Sequence, residues 1–237
     1  MQWKTRPAGL RNLAATRRGF VYLSPEPELS MAKTLAKEAH PLLAALPEET
    51  LRRLTIHAKL LEKWRLAVTL AGKSSFDDLW VRHFADSLQV SEAVPDARRW
   101  LDLGSGAGFP GLVTAIRYAD DPEALVHLVE ANQRKCAFLQ TVVRETAAPA
   151  IVHCGRLETV LPALDEKIDA VSARALAPLD ALLRYAEKFI GQGAVGVFSK
   201  GKDFGPELTG SAAGKYLITT IASQTSPASR LVLVRSR

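Results

Sequence analysis

Residues 100–112 read WLDLGSGAGFPGL, and this stretch decides the fold. A short apolar run closes on an acid, Asp102. Glycines then stand at every second position, Gly104, Gly106 and Gly108, ahead of Pro110 and an apolar stretch with helical spacing. A strand that ends in a glycine turn and feeds a helix is a cradle for a nucleotide-like ligand. Backbone comes close to a ligand where no Cβ intervenes, and the first turn of a helix offers unpaired N–H groups. Pro110 suits the first helical position, whose N–H would have no partner in any case.

Two ligands compete for such a turn. Read from Gly106 it is G-A-G-F-P-G, a formal match to the dinucleotide pattern G-x-G-x-x-G. Read from Asp102 it is D-x-G-x-G-x-G, the acid-first loop of methyltransferases that use S-adenosylmethionine. Charge separates the two. A dinucleotide brings an anionic pyrophosphate to the turn, which a carboxylate two residues before the first glycine repels. The methionyl end of S-adenosylmethionine carries an ammonium and a sulfonium, which the same carboxylate favours. The run ALVHLVE (124–130) then ends in a second acid, Glu130. In βαβ nucleotide folds an acid about 20 residues past the glycines binds the ribose hydroxyls, and Glu130 stands in that topological place.

The 237 residues allow one large domain, or a medium one with an appendage, and a hydrophobic content of 47% is ample for a core. No run approaches the ~20 apolar residues that cross a bilayer, so a cytoplasmic protein with no membrane contact is expected. The two cysteines, Cys136 and Cys154, lie in apolar surroundings without metal-ligand spacing. They are expected to be reduced core thiols, and no metal site is expected. The net charge of +6 is unevenly placed: residues 1–25 hold five basic residues and no acid, leaving the remainder at +1. This basic leader lacks the apolar core of a secretory signal. It is either an RNA-phosphate contact or a flexible extension ahead of Met31. Nothing in the sequence calls for an obligate dimer, so a monomer is expected.

Spacing divides the chain into a leader (1–30), a helical cap (31–95) and a ligand-binding domain (96–237). Helices are expected near 30–40, from Pro47 to about Leu70 with Gly72 ending it, and over Phe76–Val90, which places Leu79, His83 and Ser87 on one face. From Arg98 onward, strands (99–103, 124–130, 149–154, 168–172, 193–198) alternate with helices (110–119, 132–146, 156–163, 178–190). A terminal hairpin follows over about 216–222 and 230–235. Such alternation predicts an α/β fold, a mostly parallel seven-stranded sheet with helices on both faces. Asp102, Glu130, GRLE (155–158), SARA (172–175) and Lys200 all fall at carboxyl ends of strands, where open α/β sheets bind ligands.

Taken together these segments resemble a specific family, the bacterial small-subunit rRNA guanine-N7 methyltransferases, also called glucose-inhibited division protein B. The likeness is carried by VRHFADSL (81–88), LDLGSGAGFPGL (101–112), RKCAFLQ (134–140), GRLE (155–158), DAVSARALAPL (169–179) and SKGK (199–202), and spans about two thirds of the chain. The resemblance implies a class I, Rossmann-like methyltransferase fold with a helical N-terminal extension. It also implies S-adenosylmethionine as donor, and 16S rRNA or the 30S subunit as partner. Carried over by position, it assigns the cofactor to Gly104, Phe109, Leu157, Glu158 and Arg174, beside the general pattern of Asp102, Gly106, Gly108 and Glu130. One departure stands out: the family's W-N-x-x-x-N-L-T stretch reads WRLAVTL here, from Trp64.

Guanine N7 is a lone-pair acceptor exposed in the major groove and carries no proton, so transfer to it needs no general base. No catalytic acid or base is therefore assigned, and His83 is expected to pair with Asp86 or cap the site. Arg82, His83, Arg134 and Lys200, with Lys202, are the candidate substrate contacts. Three other readings remain at this point: a methyltransferase of a small molecule or protein, a dinucleotide oxidoreductase, and a non-catalytic RNA-binding assembly factor.

Overall fold

The computed structural model describes residues 26–64, 79–202, 205–206 and 213–237. Residues 1–25 of the leader, the end of the third helix with Gly72, the altered stretch after Trp64 and the start of the helix expected over Phe76–Val90 lie outside these residues. A seven-stranded sheet runs in the order β3-β2-β1-β4-β5-β7-β6. Its strands are β1 (Arg99–Leu103), β2 (Leu125–Glu130), β3 (Ala150–Cys154), β4 (Ala170–Arg174), β5 (Val195–Lys200), β6 (Tyr216–Ala222) and β7 (Arg230–Ser236). The first five pair in parallel, and β7 inserts antiparallel between β5 and β6. This is the fold class expected from the alternation, terminal hairpin included.

The strand order reverses between β1 and β4. Crossovers leave those two strands in opposite directions, and a crevice opens at their carboxyl ends. The glycine turn follows β1 and Arg174 closes β4, so both border that crevice.

Strand periodicity sorts the side chains of β1. Trp100 and Asp102 face one way, Leu101 and Leu103 the other, and all four are fully buried. The first face is covered by α3 (Glu48–Trp64), α5 (Gly111–Arg117) and α6 (Gln133–Thr146), with α4 (Asp86–Glu92) against α5. Its core includes Trp100, Leu112, Val113, Phe84 and Phe138. The second face is covered by α7 (Leu157–Ala163) and α8 (Leu179–Gly191), whose Leu182, Leu183, Ala186 and Phe189 pack on Leu101, Val171 and Phe198. Each such fully buried side chain contributes about 1.5–3 kcal/mol. Helices α1 (Glu26–Ala39) and α2 (Pro41–Ala44) precede α3.

Two local expectations are corrected. Pro110 is the N-cap of α5 rather than its first residue, and follows a cis Phe109–Pro110 bond. The helix before the sheet contains a π-helical turn, Trp80–Ala85. The wider turn breaks the simple i, i+4 register: Ser87 is fully buried and its hydroxyl donates to the His83 carbonyl at 2.6 Å, while the His83 ring points elsewhere.

Candidate functional site

A cavity of about 390 Å³ lies at the carboxyl ends of β1, β2 and β4. Of the residues singled out in the sequence, Gly104, Gly106, Glu130, Leu157, Glu158 and Arg174 line it. Gly104 has φ +68 and Gly106 φ +56, the left-handed region where glycine is unstrained. A Cβ at Gly104 would stand 2.6 Å from Leu176 Cδ1, so the lining is close-packed against bare backbone here.

Glu130 ends β2 with both oxygens engaged: Oε2 accepts from the Gly106 amide at 2.9 Å and Oε1 from the Asn132 amide at 2.8 Å. It ties the glycine turn to the start of α6. A carboxylate has about four lone-pair sites, so acceptor capacity remains on the cavity side. At the far wall Glu158 opens α7, and its Oε1 accepts from the Tyr185 hydroxyl at 2.6 Å.

Asp102 is not in the cavity. Strand alternation turns it under α5, where it is fully buried, and Oδ1 accepts from the Ser172 hydroxyl at 2.7 Å. A Cβ on Gly111 would come within 2.4 Å of the Asp102 Cβ, so α5 begins directly on this side chain. Burial pushes its carboxyl up to about 6, partly offset by the Ser172 and Ser105 hydroxyls and the Gly111 amide. A folded-state value above the usual 3.8 means the native state holds the proton more tightly than the unfolded chain. That contribution is complete below about pH 4 and is lost as pH rises through about 6, a change of about 3 kcal/mol at 1.36 kcal/mol per unit. Thermal unfolding of Asp102→Asn beside the wild type is expected to show it: between about pH 4 and pH 7 the wild type loses stability relative to the variant. Parallel curves would refute the assignment.

Gly108 and Phe109 also serve the turn from behind. A Cβ on Gly108 would meet Leu112 and His57. Phe109 is buried and its ring stacks between two histidines, with centroids 5.1 Å from His57 and 5.0 Å from His83. His57, on α3, escaped the sequence reading. Its Nε2 donates to the Ala107 carbonyl at 2.9 Å, and desolvation holds its pKa down at about 4, so the ring is neutral. Aromatic contacts of this kind are worth about 0.5–1.5 kcal/mol each, and they pin the turn to the helical cap.

Arg174 joins the cap to the cavity. Nη2 donates to His83 Nδ1 at 2.7 Å, and Nη1 reaches the Arg82 carbonyl at 3.0 Å and Asp86 Oδ2 at 3.3 Å. The guanidinium also lies over the Phe109 ring, 5.1 Å from its centroid. The Asp86 carboxylate is therefore linked to the His83 ring through Arg174. Because guanidinium only donates, His83 Nδ1 is an acceptor and its ring is neutral. Desolvation, then Arg174 and Arg82, lower its pKa to about 4.

Lys200 closes β5 and its Nζ donates to the Ala177 carbonyl at 2.8 Å. It borders a second cavity, of about 230 Å³, which meets the first at Arg174 and Ala175. The Arg82, Arg134 and Lys202 side chains are exposed and line neither cavity. Lys135, the neighbour of Arg134, lines the first cavity instead, as do Arg156, Ala175 and Leu176. One residue along α6 is about 100° of rotation, which spacing from the strand end does not resolve. The two cysteines part company: Cys136 is buried, whereas Cys154 is exposed rather than in the core.

The family model described as GidB, rRNA small subunit methyltransferase G, matches residues 50–226. The chain belongs to this family. A relative named ribosomal RNA small subunit methyltransferase G, from Parvibaculum lavamentivorans, is 47% identical over 173 residues, covering 73% of this chain and 76% of that protein. Another of that name, from Bradyrhizobium diazoefficiens, is 45% identical over 174 residues, covering 73% of this chain and 66% of that protein. Among solved structures, a methyltransferase from Geobacter sulfurreducens superposes with a TM-score of 0.53 at 11% identity, covering 92% of this chain and all of that one, a likeness of fold. The family match spans α3 to the turn after β6, and so contains every cavity residue named above.

Proposed function

We propose that this protein transfers a methyl group from S-adenosylmethionine to N7 of a guanine in 16S rRNA, as the family name and the cavity together suggest. The observation that carries the reading is the closure of the glycine turn by Glu130, which leaves an acid and bare backbone facing one cavity at the sheet's switch point. Gly104 and Gly106 give the donor's methionyl end access to main chain, and Lys135 lies along the same wall. Glu130 accepts from the ribose, and Leu157 and Glu158 border the adenine. Asp102, Gly108, Phe109 and His57 hold the turn in shape without touching the ligand. When bound, S-adenosylmethionine supplies an electrophilic methyl group on a sulfonium.

The chain's own task is alignment, which is worth up to about 7–11 kcal/mol in well-oriented reactions. N7 has no proton to lose, and the neutral, acceptor-facing His83 orients Arg174 instead of acting as base. His83→Ala is accordingly expected to keep single-turnover methylation within about tenfold of wild type. A loss of about 10⁴-fold, the upper range for acid–base catalysis, would make His83 a chemical participant.

No helix among the described residues is long and apolar enough to cross a membrane, and we place the protein in the cytoplasm as a monomer acting on rRNA or the 30S subunit. The decisive test is transfer of labelled methyl to 30S subunits, followed by mapping of the modified base. Label at a guanine N7 is expected; label on another atom, or none, would overturn the reading.

A further inference from the structure

The second cavity lies on the β5 side of Arg174, between the ends of β4 and β5 and the β6–β7 connection. Its volume of about 230 Å³ compares with the roughly 10–15 Å³ that holds one water on the same measure, which is ample room for a bicyclic base. Three observations set it apart from a surface dimple. It borders the first cavity through Arg174 and Ala175, so a ligand in one lies beside a ligand in the other. Ala175, at that border, has φ +51, a left-handed conformation that costs a side-chain-bearing residue roughly 1–2 kcal/mol. The Ser199 hydroxyl on its wall is buried with no hydrogen-bond partner among the described residues. A buried hydroxyl left unpaired costs about 1–3 kcal/mol, and native folds leave few of them.

We infer that this cavity is the seat of the acceptor base, taken up as one unpaired, unstacked guanine. The inference rests on the function proposed above and deepens it. In an A-form RNA helix the major groove that exposes N7 is too deep and narrow for side chains to enter. An enzyme acting on a ring atom within RNA therefore works on a base removed from its stack. The wall chemistry fits a guanine edge, which carries both donors and an acceptor. The Ser199 hydroxyl donates or accepts, and Asp86 and Gln89, hydrogen-bonded to each other at 2.7 Å, also line the cavity. Asp86 is ion-paired to Arg174 at 3.3 Å, so the positive charge that arrives on the purine does not face an uncompensated cation. Lys200 and Arg230 border the same cavity, cations suited to the flanking phosphates.

The test uses full-length protein saturated with S-adenosylhomocysteine, so that the first cavity is closed to competing nucleotides. Calorimetric titration with guanosine 5′-monophosphate is expected to show one weak, saturable site. Ser199→Leu, which fills the cavity, is expected to remove it while S-adenosylhomocysteine affinity stays within about twofold. Ser199→Ala, which removes the hydroxyl without adding bulk, is expected to lower kcat/KM on 30S subunits about tenfold, the equivalent of one hydrogen bond, with donor affinity unchanged. No saturable binding by about 10 mM, binding undiminished in Ser199→Leu, or unchanged kcat/KM in Ser199→Ala would each overturn the assignment. Absence of methyl transfer by the wild type would instead remove the proposed function, while the nucleotide titration still judges the cavity.

Discussion

Gly104→Asp is expected to abolish donor binding while the protein still folds. Gly104 has φ +68 and lines the first cavity directly after β1. A Cβ there stands 2.6 Å from Leu176 Cδ1, but that atom is the tip of a side chain 38% exposed, which can swing away. The steric cost to the fold is therefore small. The left-handed backbone costs a residue with a Cβ roughly 1–2 kcal/mol, and aspartate tolerates it better than most. What the fold does not offer is a place for the new carboxylate. It must project from the turn into the volume where the donor's own carboxylate and methionyl chain approach bare main chain. Gly104→Ala isolates the backbone and Cβ contribution and is expected to weaken S-adenosylhomocysteine binding by about tenfold. Gly104→Asp is expected to weaken it by at least about 100-fold, with a melting temperature close to that of Gly104→Ala. Calorimetry giving the aspartate variant wild-type affinity would remove Gly104 from the site.

The parts of this molecule written in local patterns were legible in the chain itself. Short apolar runs alternating with helical stretches marked all seven strands, and the glycine turn marked the carboxyl-end crevice. Errors arose where a non-local partner set the outcome. Strand β4 was expected over 168–172 but runs from Ala170 to Arg174. Asp169, just ahead of it, closes the start of the adjacent β1: its Oδ2 accepts the backbone N–H groups of Arg98 and Arg99 at 3.0 and 2.9 Å. The shift brings Arg174 into the last strand position, beside the cavity. Asp102 lies under α5 and not on the cavity wall, because its direction depends on which face of β1 is packed by α5. His57 gave no signal, since a histidine on an apolar helix reads as core until the turn it props is known. The π-helical turn was hidden for the same kind of reason, its register being fixed by His83 meeting Arg174 across the chain.

Glu130 offers a sharper test of the cavity than any glycine, because one atom can be exchanged without changing shape. The carboxylate accepts the Gly106 amide on one oxygen and the Asn132 amide on the other, at 2.9 and 2.8 Å. Carboxylates only accept, whereas a glutamine amide has one accepting and one donating end. In Glu130→Gln one of the two backbone N–H groups must then face an N–H₂ whichever way the amide turns. Hydrogen bonds to a charged group are worth about 1.5–3 kcal/mol, so losing one and opposing its donor is expected to weaken S-adenosylhomocysteine binding about 100-fold. That loss mixes two causes, a disturbed turn and a missing ribose acceptor. An analogue without the ribose hydroxyls separates them, since two changes that remove the same contact do not add. If Glu130 holds the ribose, wild type discriminates strongly between S-adenosylhomocysteine and the analogue, and Glu130→Gln much less. If Glu130 only braces the turn, the variant binds both ligands more weakly by the same factor, and the ribose assignment fails while the turn assignment stands.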